Sequence, residues 1–326
     1  MEANRLIDML LEHPGQYISG EELSRRLSIS RTAVWKQIAK LREEGYEFES
    51  APRRGYRLTR QPDKLSQTGL LHALQGNRTF GTKIKLLEST PSTQEEARKL
   101  AEEGAPHGTL VLAEEQTAGR GRQGRRWYSP PGKGVWMSLL LRPERQPLSI
   151  ASQLTLLVAV AVCRAVRKVG GVDAGIKWPN DILVGGRKLC GILVESVAED
   201  ELIRYAIAGI GIDVNLEEQD IPDELKSVAT SLSLSSGRRI DRIALIGAVL
   251  NEMEQLYELY TQEGFGPVSH LWEALSITLG REIAVHTSNG VLKGTATGLD
   301  ASGALLLLDQ DGKHFTIFSG EVQLGG

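Results

Sequence analysis

Three short helices are predicted at the start of the chain, because apolar residues recur there three or four positions apart. Pro14-Gly15 ends the first helix, Ser19 with Glu22 three positions on offers a capping box for the second, and the third begins near Ser30 or Arg31. The residues that share the inward faces are Leu6, Met9, Leu10, Leu23, Leu27, Val34, Ile38 and Leu41.

Polar and apolar residues then alternate, which predicts a two-stranded hairpin after Gly45. Residues 46–49 and 56–58 form its strands, and the Arg-Arg-Gly segment at residues 53–55 forms a basic turn. Three helices followed by a hairpin with a basic tip predict a winged helix-turn-helix over residues 1–62. The Gln-Pro-Asp segment at residues 61–63 is the predicted linker.

The third predicted helix has the charge pattern of a DNA-reading helix. Every charged side chain between residues 30 and 42 is positive, and polar side chains beside them can reach phosphates or base edges. The candidate DNA-binding residues are Arg31, Thr32, Lys36, Gln37, Arg53 and Arg54. A small helical domain for protein contact is the alternative, but helix order, turn length and the basic hairpin favour DNA, bound by a dimer.

Longer apolar segments follow and predict an α/β domain over residues 63–275. Strands are expected at residues 84–87, 109–113, 135–141 and, with two glycines, 208–215, and a long buried helix at residues 153–169. Residues 276–326 carry short strands separated by glycine-containing turns, which predicts a small β-barrel like an SH3 domain. Its expected strands are residues 283–286, 292–299, 304–308 and 315–318.

Composition narrows the class of protein without identifying it. The 326 residues are 41% hydrophobic and carry a formal net charge of −3, so any nucleic-acid contact must be local. Cys163 and Cys190 are the only cysteines; two cysteines form no disulfide framework, and they lack the spacing of metal ligands. This pattern favours a reducing, cytoplasmic setting. No signal-peptide pattern opens the chain, and the longest apolar run, residues 154–163, is shorter than the roughly 20 residues of a membrane span, so no membrane partner is expected.

Residues 119–126, called here the glycine/arginine loop, form the first candidate for chemistry. They place four arginines among three glycines. Glycine lets the backbone approach a ligand closely, and the arginine fork fits carboxylate and phosphate. The loop therefore suits a small anionic ligand; a basic loop that touches nucleic acid, or a solvated loop, is the alternative.

Two further segments carry charged side chains. Residues 177–181, Lys-Trp-Pro-Asn-Asp, present a cation, an indole and a carboxylate, although a turn with an Asn-Asp cap would look the same. Lys188 stands at the start of a strand after a Gly-Gly turn, where a lone lysine usually faces solvent. Together with the glycine/arginine loop they suit nucleotidyl transfer, which depends on charge neutralisation and positioning. The sequence has neither a Walker A motif nor a nucleophile elbow.

In this order and behind a winged helix, these segments resemble the bacterial biotin–protein ligases that also repress biotin genes. The resemblance covers nearly the whole chain and rests on residues 92–94, 119–125, 177–181 and 187–195. It implies a central domain of the biotin/lipoate ligase type, related to class II synthetases. It also implies that biotin and ATP form biotinyl-5′-adenylate, from which biotin passes to a lysine of a biotin carboxyl carrier domain of acetyl-CoA carboxylase, with pyruvate carboxylase as a second acceptor.

The resemblance also implies which residues act. Lys188, Arg122 and Asp181 are the expected catalytic residues, and Mg²⁺ is expected with ATP but no dedicated metal site in the protein. The expected biotin-binding residues are Ser92, Thr93, Gln94, Gln116, Arg120, Gly121, Arg122 and Lys188. The expected nucleotide-binding residues are Arg122, Arg125, Trp127, Lys177, Asp181 and Asn215.

The same resemblance implies regulation. Bound adenylate would favour a homodimer that binds operator DNA. Asp213 departs from the pattern, since Asn is usual there, and a negative charge near the phosphates would weaken nucleotide binding. The competing functions are a biotin-sensing transcription factor without ligase activity and a lipoate–protein ligase.

Overall fold

The computed structural model describes residues 2–13, 15–43, 45–52, 54–60, 64–144, 146–288 and 290–325. The chain divides into two compact units, Met1–His72 and Ala73–Gly326. The predicted boundaries after residues 62 and 275 stay predictions, and the predicted linker at residues 61–63 lies outside the described residues.

The first unit is a winged helix. Its elements are α1 (Glu2–Leu11), α2 (Gly20–Leu27), α3 (Arg31–Glu43) and the antiparallel strands β1 (Glu47–Ala51) and β2 (Gly55–Arg60). Ser19 caps α2 by accepting a 3.0 Å hydrogen bond from the Glu22 backbone N–H. The carboxylate of Glu22 instead pairs with Arg25 and Arg26, so one half of the predicted capping box is used. The core contains the predicted inward residues, with Met9 and Leu27 at its edge.

A seven-stranded sheet forms the centre of the second unit, in the order β3-β4-β5-β9-β8-β7-β6. β3 and β4 are parallel, and the other neighbouring strands are antiparallel. The strands are β3 (Ile84–Thr90), β4 (Leu110–Gln116), β5 (Gly134–Leu141), β6 (Ala174–Lys177), β7 (Asp181–Val184), β8 (Arg187–Glu199) and β9 (Leu202–Asp213). Along the chain, α4 (Gln67–Ala73) ends where the first unit gives way to the second. The helices of the second unit are α5 (Thr93–Glu102), α6 (Ala151–Gly170), α7 (Leu232–Ser236), α8 (Arg242–Glu263) and α9 (Phe265–Leu275).

Alternation along β9 decides which side of the sheet receives side chains from α5 and the glycine/arginine loop. Gly209 and Gly211 lie on the side of Gln94 and Trp127, whereas the intervening Ile210 is buried on the opposite side. Successive side chains of a strand point to opposite faces, so this one strand gives the sheet an apolar face and an open face.

α6 is the core helix of this unit. With its preceding turn, Leu148–Gly170 is long and apolar enough to cross a membrane by length and composition. Its residues from Leu156 to Cys163 are buried, however, and the helix packs against α8, α9 and the sheet. Burial on nearly all sides accounts for the apolar composition.

The C-terminal region is an antiparallel sheet in the order β13-β12-β11-β10-β14, consistent with the predicted SH3-like domain. Its strands are β10 (Glu282–Thr287), β11 (Gly290–Leu299), β12 (Leu305–Leu308), β13 (His314–Ile317) and β14 (Glu321–Leu324). β14 was not predicted, because it is short and only Val322 among its residues is buried. The predicted mixed α/β fold with a winged helix and an SH3-like domain is confirmed.

Candidate functional site

A cavity of about 530 Å³ opens on the glycine side of the central sheet. The cavity is lined by the N-terminus of α5, the glycine/arginine loop, the turn between β6 and β7, and the facing parts of β8 and β9. Gly320 and the first two residues of β14, Glu321 and Val322, line it as well. Segments that are far apart in the sequence therefore meet around one space.

One end of the cavity is built from uncharged hydrogen-bonding groups. Ser92 caps α5, and the backbone N–H of Thr93 donates to Gln116 Oε1 at 2.9 Å. Gln94 donates from Nε2 to the carbonyl oxygens of Leu193 and Ile207 at 3.3 and 3.2 Å. The polar groups that sequence reasoning assigned to biotin are thus held in fixed orientations by partners on three strands.

Ser138 completes this polar end, and sequence reasoning missed it. Its hydroxyl lies 2.8 Å from Thr93 Oγ1 and donates to Gln94 Oε1 at 3.3 Å, and the residue is fully buried. A single hydroxyl within the apolar strand β5 was the available signal. Buried polar groups need partners, so a lone serine in such a strand marks a polar neighbour.

The glycine/arginine loop has a defined structure. The backbone N–H of Gly121 donates to the Arg125 carbonyl at 2.7 Å, and that of Trp127 donates to the Gly119 carbonyl at 2.8 Å. Gly124 has a positive φ of 74°, which a residue without a side chain adopts readily. The loop is therefore a closed turn that directs its arginines, and Arg120, Arg125 and Arg126 remain exposed to solvent.

Each arginine of this loop has a partner. Arg120 pairs with Glu95, and Arg126 donates to the Thr117 carbonyl at 3.2 Å. Arg122 donates to Asn180 Oδ1 at 3.1 Å and to the Gly320 carbonyl at 3.4 Å. Burial lowers the pKa of the Arg122 guanidinium, as expected for a cation withdrawn from water.

Arg125 connects the loop to the C-terminal region. Its guanidinium makes a two-pronged pair with the Glu321 carboxylate, and the bond from Nη1 is 2.8 Å long. The hydrogen bond from Arg125 lowers the pKa of Glu321. Sequence reasoning missed Glu321, because its partner lies far away along the chain and no motif surrounds it.

Lys188 faces the cavity with a carboxylate beside it. Its Nζ lies 2.7 Å from Asp181 Oδ1 and 5.3 Å from the centre of the Trp127 ring. The Gly-Gly turn before Lys188 has φ of 56° at Gly185 and 78° at Gly186, as the predicted hairpin requires. The lysine that could have been a solvent-facing residue is thus placed among the other predicted site residues.

The Trp127 ring packs against glycines of β8 and β9. A Cβ atom at Gly211 would come within 2.4 Å of its Nε1, and one at Gly191 within 2.8 Å of its ring. The glycines expected to let a ligand approach are therefore covered by Trp127 here, as Gly209 is covered by Gln94. The indole Nε1 is buried without a hydrogen-bond partner in the described part of the chain.

The remaining predicted residues behave differently from one another. Lys177 lines the cavity and pairs in register with Asp181 on the neighbouring strand. Asn215 does not line it: its amide donates to the Ile240 carbonyl at 2.9 Å and accepts from the Ile240 N–H at 3.0 Å. Both polar ends of the Asn215 amide hold Ile240, just before α8, and the assignment of Asn215 to the nucleotide stays a prediction.

The candidate DNA-binding residues lie in the first unit. Arg31, Thr32 and Lys36 are exposed on α3, and Gln37 is half-buried. Arg54 is exposed and lies 4.2 Å from the centre of the Tyr17 ring, whereas Arg53 lies outside the described residues. Trp35, 59% exposed on α3, was missed by sequence reasoning.

Comparisons with known proteins agree along the whole chain. The Biotin/lipoate A/B protein ligase family matches residues 86–213, an HTH domain matches residues 2–57, and the Biotin protein ligase C terminal domain matches residues 278–325. The Bifunctional ligase/repressor BirA of Bacillus spizizenii is 46% identical over 320 residues, which are 98% of each chain. The chain belongs to the bifunctional biotin ligase/repressor family.

More distant relatives give the same result. The Bifunctional ligase/repressor BirA of Escherichia coli is 31% identical over 95% of this chain and 94% of its own. Among solved structures, biotin protein ligase from Aquifex aeolicus in complex with biotin and ATP matches with a TM-score of 0.65 and 31% identity. That match covers 75% of this chain and 99% of the Aquifex chain. The predicted family is confirmed.

Proposed function

We propose that this chain is an ATP-dependent biotin–protein ligase that also represses biotin genes when biotinyl-adenylate is bound. The observation that carries the proposal is one cavity lined both by two cations, Arg122 and Lys188, and by the hydrogen-bonded polar groups of Thr93 and Gln94. A small acid with a polar, uncharged head group and a carboxylate tail fits that arrangement. ATP and biotin are the substrates.

In the first step a biotin carboxylate oxygen attacks the α-phosphorus of ATP. The new P–O bond forms as the bond to pyrophosphate breaks, giving biotinyl-5′-adenylate. Negative charge accumulates on the α-phosphate oxygens, and the cations of Lys188 and Arg122 offset it. The enclosed cavity also keeps water from the mixed anhydride.

In the second step the amine of an acceptor lysine attacks the acyl carbon and AMP leaves. The acceptor is a biotin carboxyl carrier domain of acetyl-CoA carboxylase, with pyruvate carboxylase as a second acceptor. Asp181, 2.7 Å from Lys188, orients that cation and offers a carboxylate for the proton that the attacking amine must lose.

Mg²⁺ enters with ATP. Within the described residues no cluster of three or more His, Cys, Asp or Glu side chains could hold a metal ion. Asp181 is already paired with Lys188, and Glu321 with Arg125. The donor set therefore fits an ion held mainly by phosphate oxygens, which is common for Mg²⁺.

The regulatory half of the proposal concerns the first unit. Adenylate favours a homodimer, and the dimer places two α3 helices on operator DNA. Arg31, Thr32, Lys36 and Arg54 are exposed for that contact. We place the protein in the cytoplasm, where biotin genes and carboxylases are found and where free cysteines stay reduced.

Biotin-dependent exchange of labelled pyrophosphate into ATP tests the enzymatic half, with lipoate as the control acid. Lys188→Ala and Arg122→Ala should lower exchange about 10²- to 10³-fold, the usual effect of removing one charge-stabilising group. Lys168→Ala, an exposed lysine of α6 outside the cavity, is the matched control. Exchange that requires lipoate, or equal rates in Lys188→Ala and Lys168→Ala, would contradict the proposal.

A further inference from the structure

Asp213 is a buried carboxyl group in the cavity wall. It ends β9 two residues after Gly211, so both residues share the ligand side of the sheet. The residue is 7% exposed and lines the cavity. Its carboxyl oxygens have no hydrogen-bond or ion-pair partner within the described ranges of the chain. A buried polar group needs a hydrogen-bond partner, and the cavity is the place where a bound ligand supplies one.

The charges around Asp213 are already paired. Lys188 reaches over Gly191, where a Cβ atom would lie 3.4 Å from its Cε, and Gly191 pairs directly with Gly211. The Lys188 ammonium is held by Asp181 at 2.7 Å. A second titratable neighbour is the thiol of Cys190, and burial raises the pKa of that thiol well above its usual value.

These surroundings disfavour a second carboxylate anion. Burial raises the pKa of Asp213 well above its usual value of 3.8, and the nearby Lys188 opposes that shift only in part. An ionised Asp213 would also repel the phosphate that the cavity receives.

We propose that Asp213 works as a neutral carboxylic acid whose O–H donates a hydrogen bond to an oxygen of the bound acyl phosphate, beside Lys188. This inference rests on the proposed ligase function. A neutral carboxyl group offers one donor and one acceptor without charge, as the asparagine expected at this position would. The neutral Asp213 carboxyl group therefore takes the place of an asparagine side-chain amide. Unlike that amide, it can lose its proton.

The consequence is a pH-dependent affinity for the nucleotide. When pH rises past the pKa of Asp213, the donor becomes an anion that faces phosphate. If only the neutral form binds, the KM for ATP rises about tenfold per pH unit beyond that point. An asparagine cannot lose a proton in this range, so it removes the dependence.

The experiment measures KM for ATP and kcat from slightly acidic to alkaline pH. The chains are the wild type, Asp213→Asn, Asp213→Ala and, as a control, Asp173→Asn, whose side chain is 95% exposed. We expect KM to rise with pH in the wild type and in Asp173→Asn, and to lose that rise in Asp213→Asn. Asp213→Ala should have a higher KM than Asp213→Asn at every pH, and this KM should not rise with pH. Parallel profiles for wild type and Asp213→Asn, or equal losses in Asp213→Asn and Asp213→Ala, would overturn the proposal.

Infrared spectroscopy gives a readout that does not depend on activity. A protonated carboxyl group has its own C=O band, which should be present in the wild type near neutral pH, shift with ¹³C-aspartate and disappear in Asp213→Asn. If that band is absent while biotin-dependent exchange is intact, the inference about Asp213 fails and the ligase function stands. If exchange is absent and the band is present, Asp213 is protonated, but the ligase function fails and the proposed contact with an acyl phosphate fails with it.

Discussion

The glycine at position 211 is required because the Trp127 indole lies directly on it. A methyl carbon there would come within 2.4 Å of Trp127 Nε1, 2.7 Å of Cε2 and 3.0 Å of Cδ1. Contacts between such atoms are normally about 3.5–4.0 Å, so Gly211→Ala forces the ring to move by about 1 Å. Overpacking of this kind costs about 1–3 kcal/mol. Gly211 does not have a positive φ, so backbone strain adds nothing to that figure.

The displaced Trp127 ring lines the cavity, so Gly211→Ala should weaken nucleotide binding as well as lower the free energy of unfolding. A loss of 1–3 kcal/mol in binding alone corresponds to a roughly 5- to 150-fold weaker Kd. Calorimetric titration of ATP and urea unfolding measure the two effects. Gly266→Ala is the control, because Gly266 lies in α9 and a Cβ atom there meets nothing within 4 Å.

A double-mutant cycle assigns the effect to this one contact. In a Trp127→Ala background the methyl group of Gly211→Ala has no indole to displace, so it should cost much less than in the wild type. A coupling of about 1 kcal/mol or more is expected for residues in such contact. The reasoning is refuted if Gly211→Ala costs the same in both backgrounds, or if it behaves like Gly266→Ala.

Three further substitutions test other parts of the molecule. Arg242→Met removes a buried cation whose Nη1 lies 2.8 Å from the buried carboxylate of Glu114, and it should lower the free energy of unfolding by about 3–5 kcal/mol. A loss below about 1 kcal/mol in urea unfolding would contradict this. Lys36→Ala should weaken DNA binding on all sequences and reduce the salt slope of log K by about 1, and an unchanged slope would remove Lys36 from the phosphate contacts. Glu321→Gln weakens the partly exposed ion pair with Arg125, which contributes about 0.5–1 kcal/mol, and should therefore speed adenylate release a few-fold. A release rate equal to that of the wild type would show that the pair does not hold the loop.

Features that depend on neighbours in the sequence could be predicted well. The winged helix follows from periodicity, a capping serine and two turns, and it forms as expected. The hairpin before Lys188 follows from Gly185-Gly186, which accept positive φ. These are local choices of backbone conformation, and each is made by a few adjacent residues.

Other elements have weaker local signals. β14 has a single buried residue, so its alternation is too short to stand out from a polar chain end. Ser138 was passed over because β5 is otherwise apolar, and only the position of α5 across the sheet shows that its hydroxyl meets Thr93 and Gln94.

The sequence by itself determined the chemistry of the site: a loop of arginines and glycines, Lys188, a carboxylate and a polar helix start, in an order typical of one family. Only the tertiary structure decided which groups meet. It pairs Arg125 with Glu321 and turns Asn215 toward Ile240. It also buries Asp213 beside an already paired Lys188. Residue type sets what a side chain can do, but its charge state and its partner depend on burial and on distances across the sheet, which arise only when remote segments pack together.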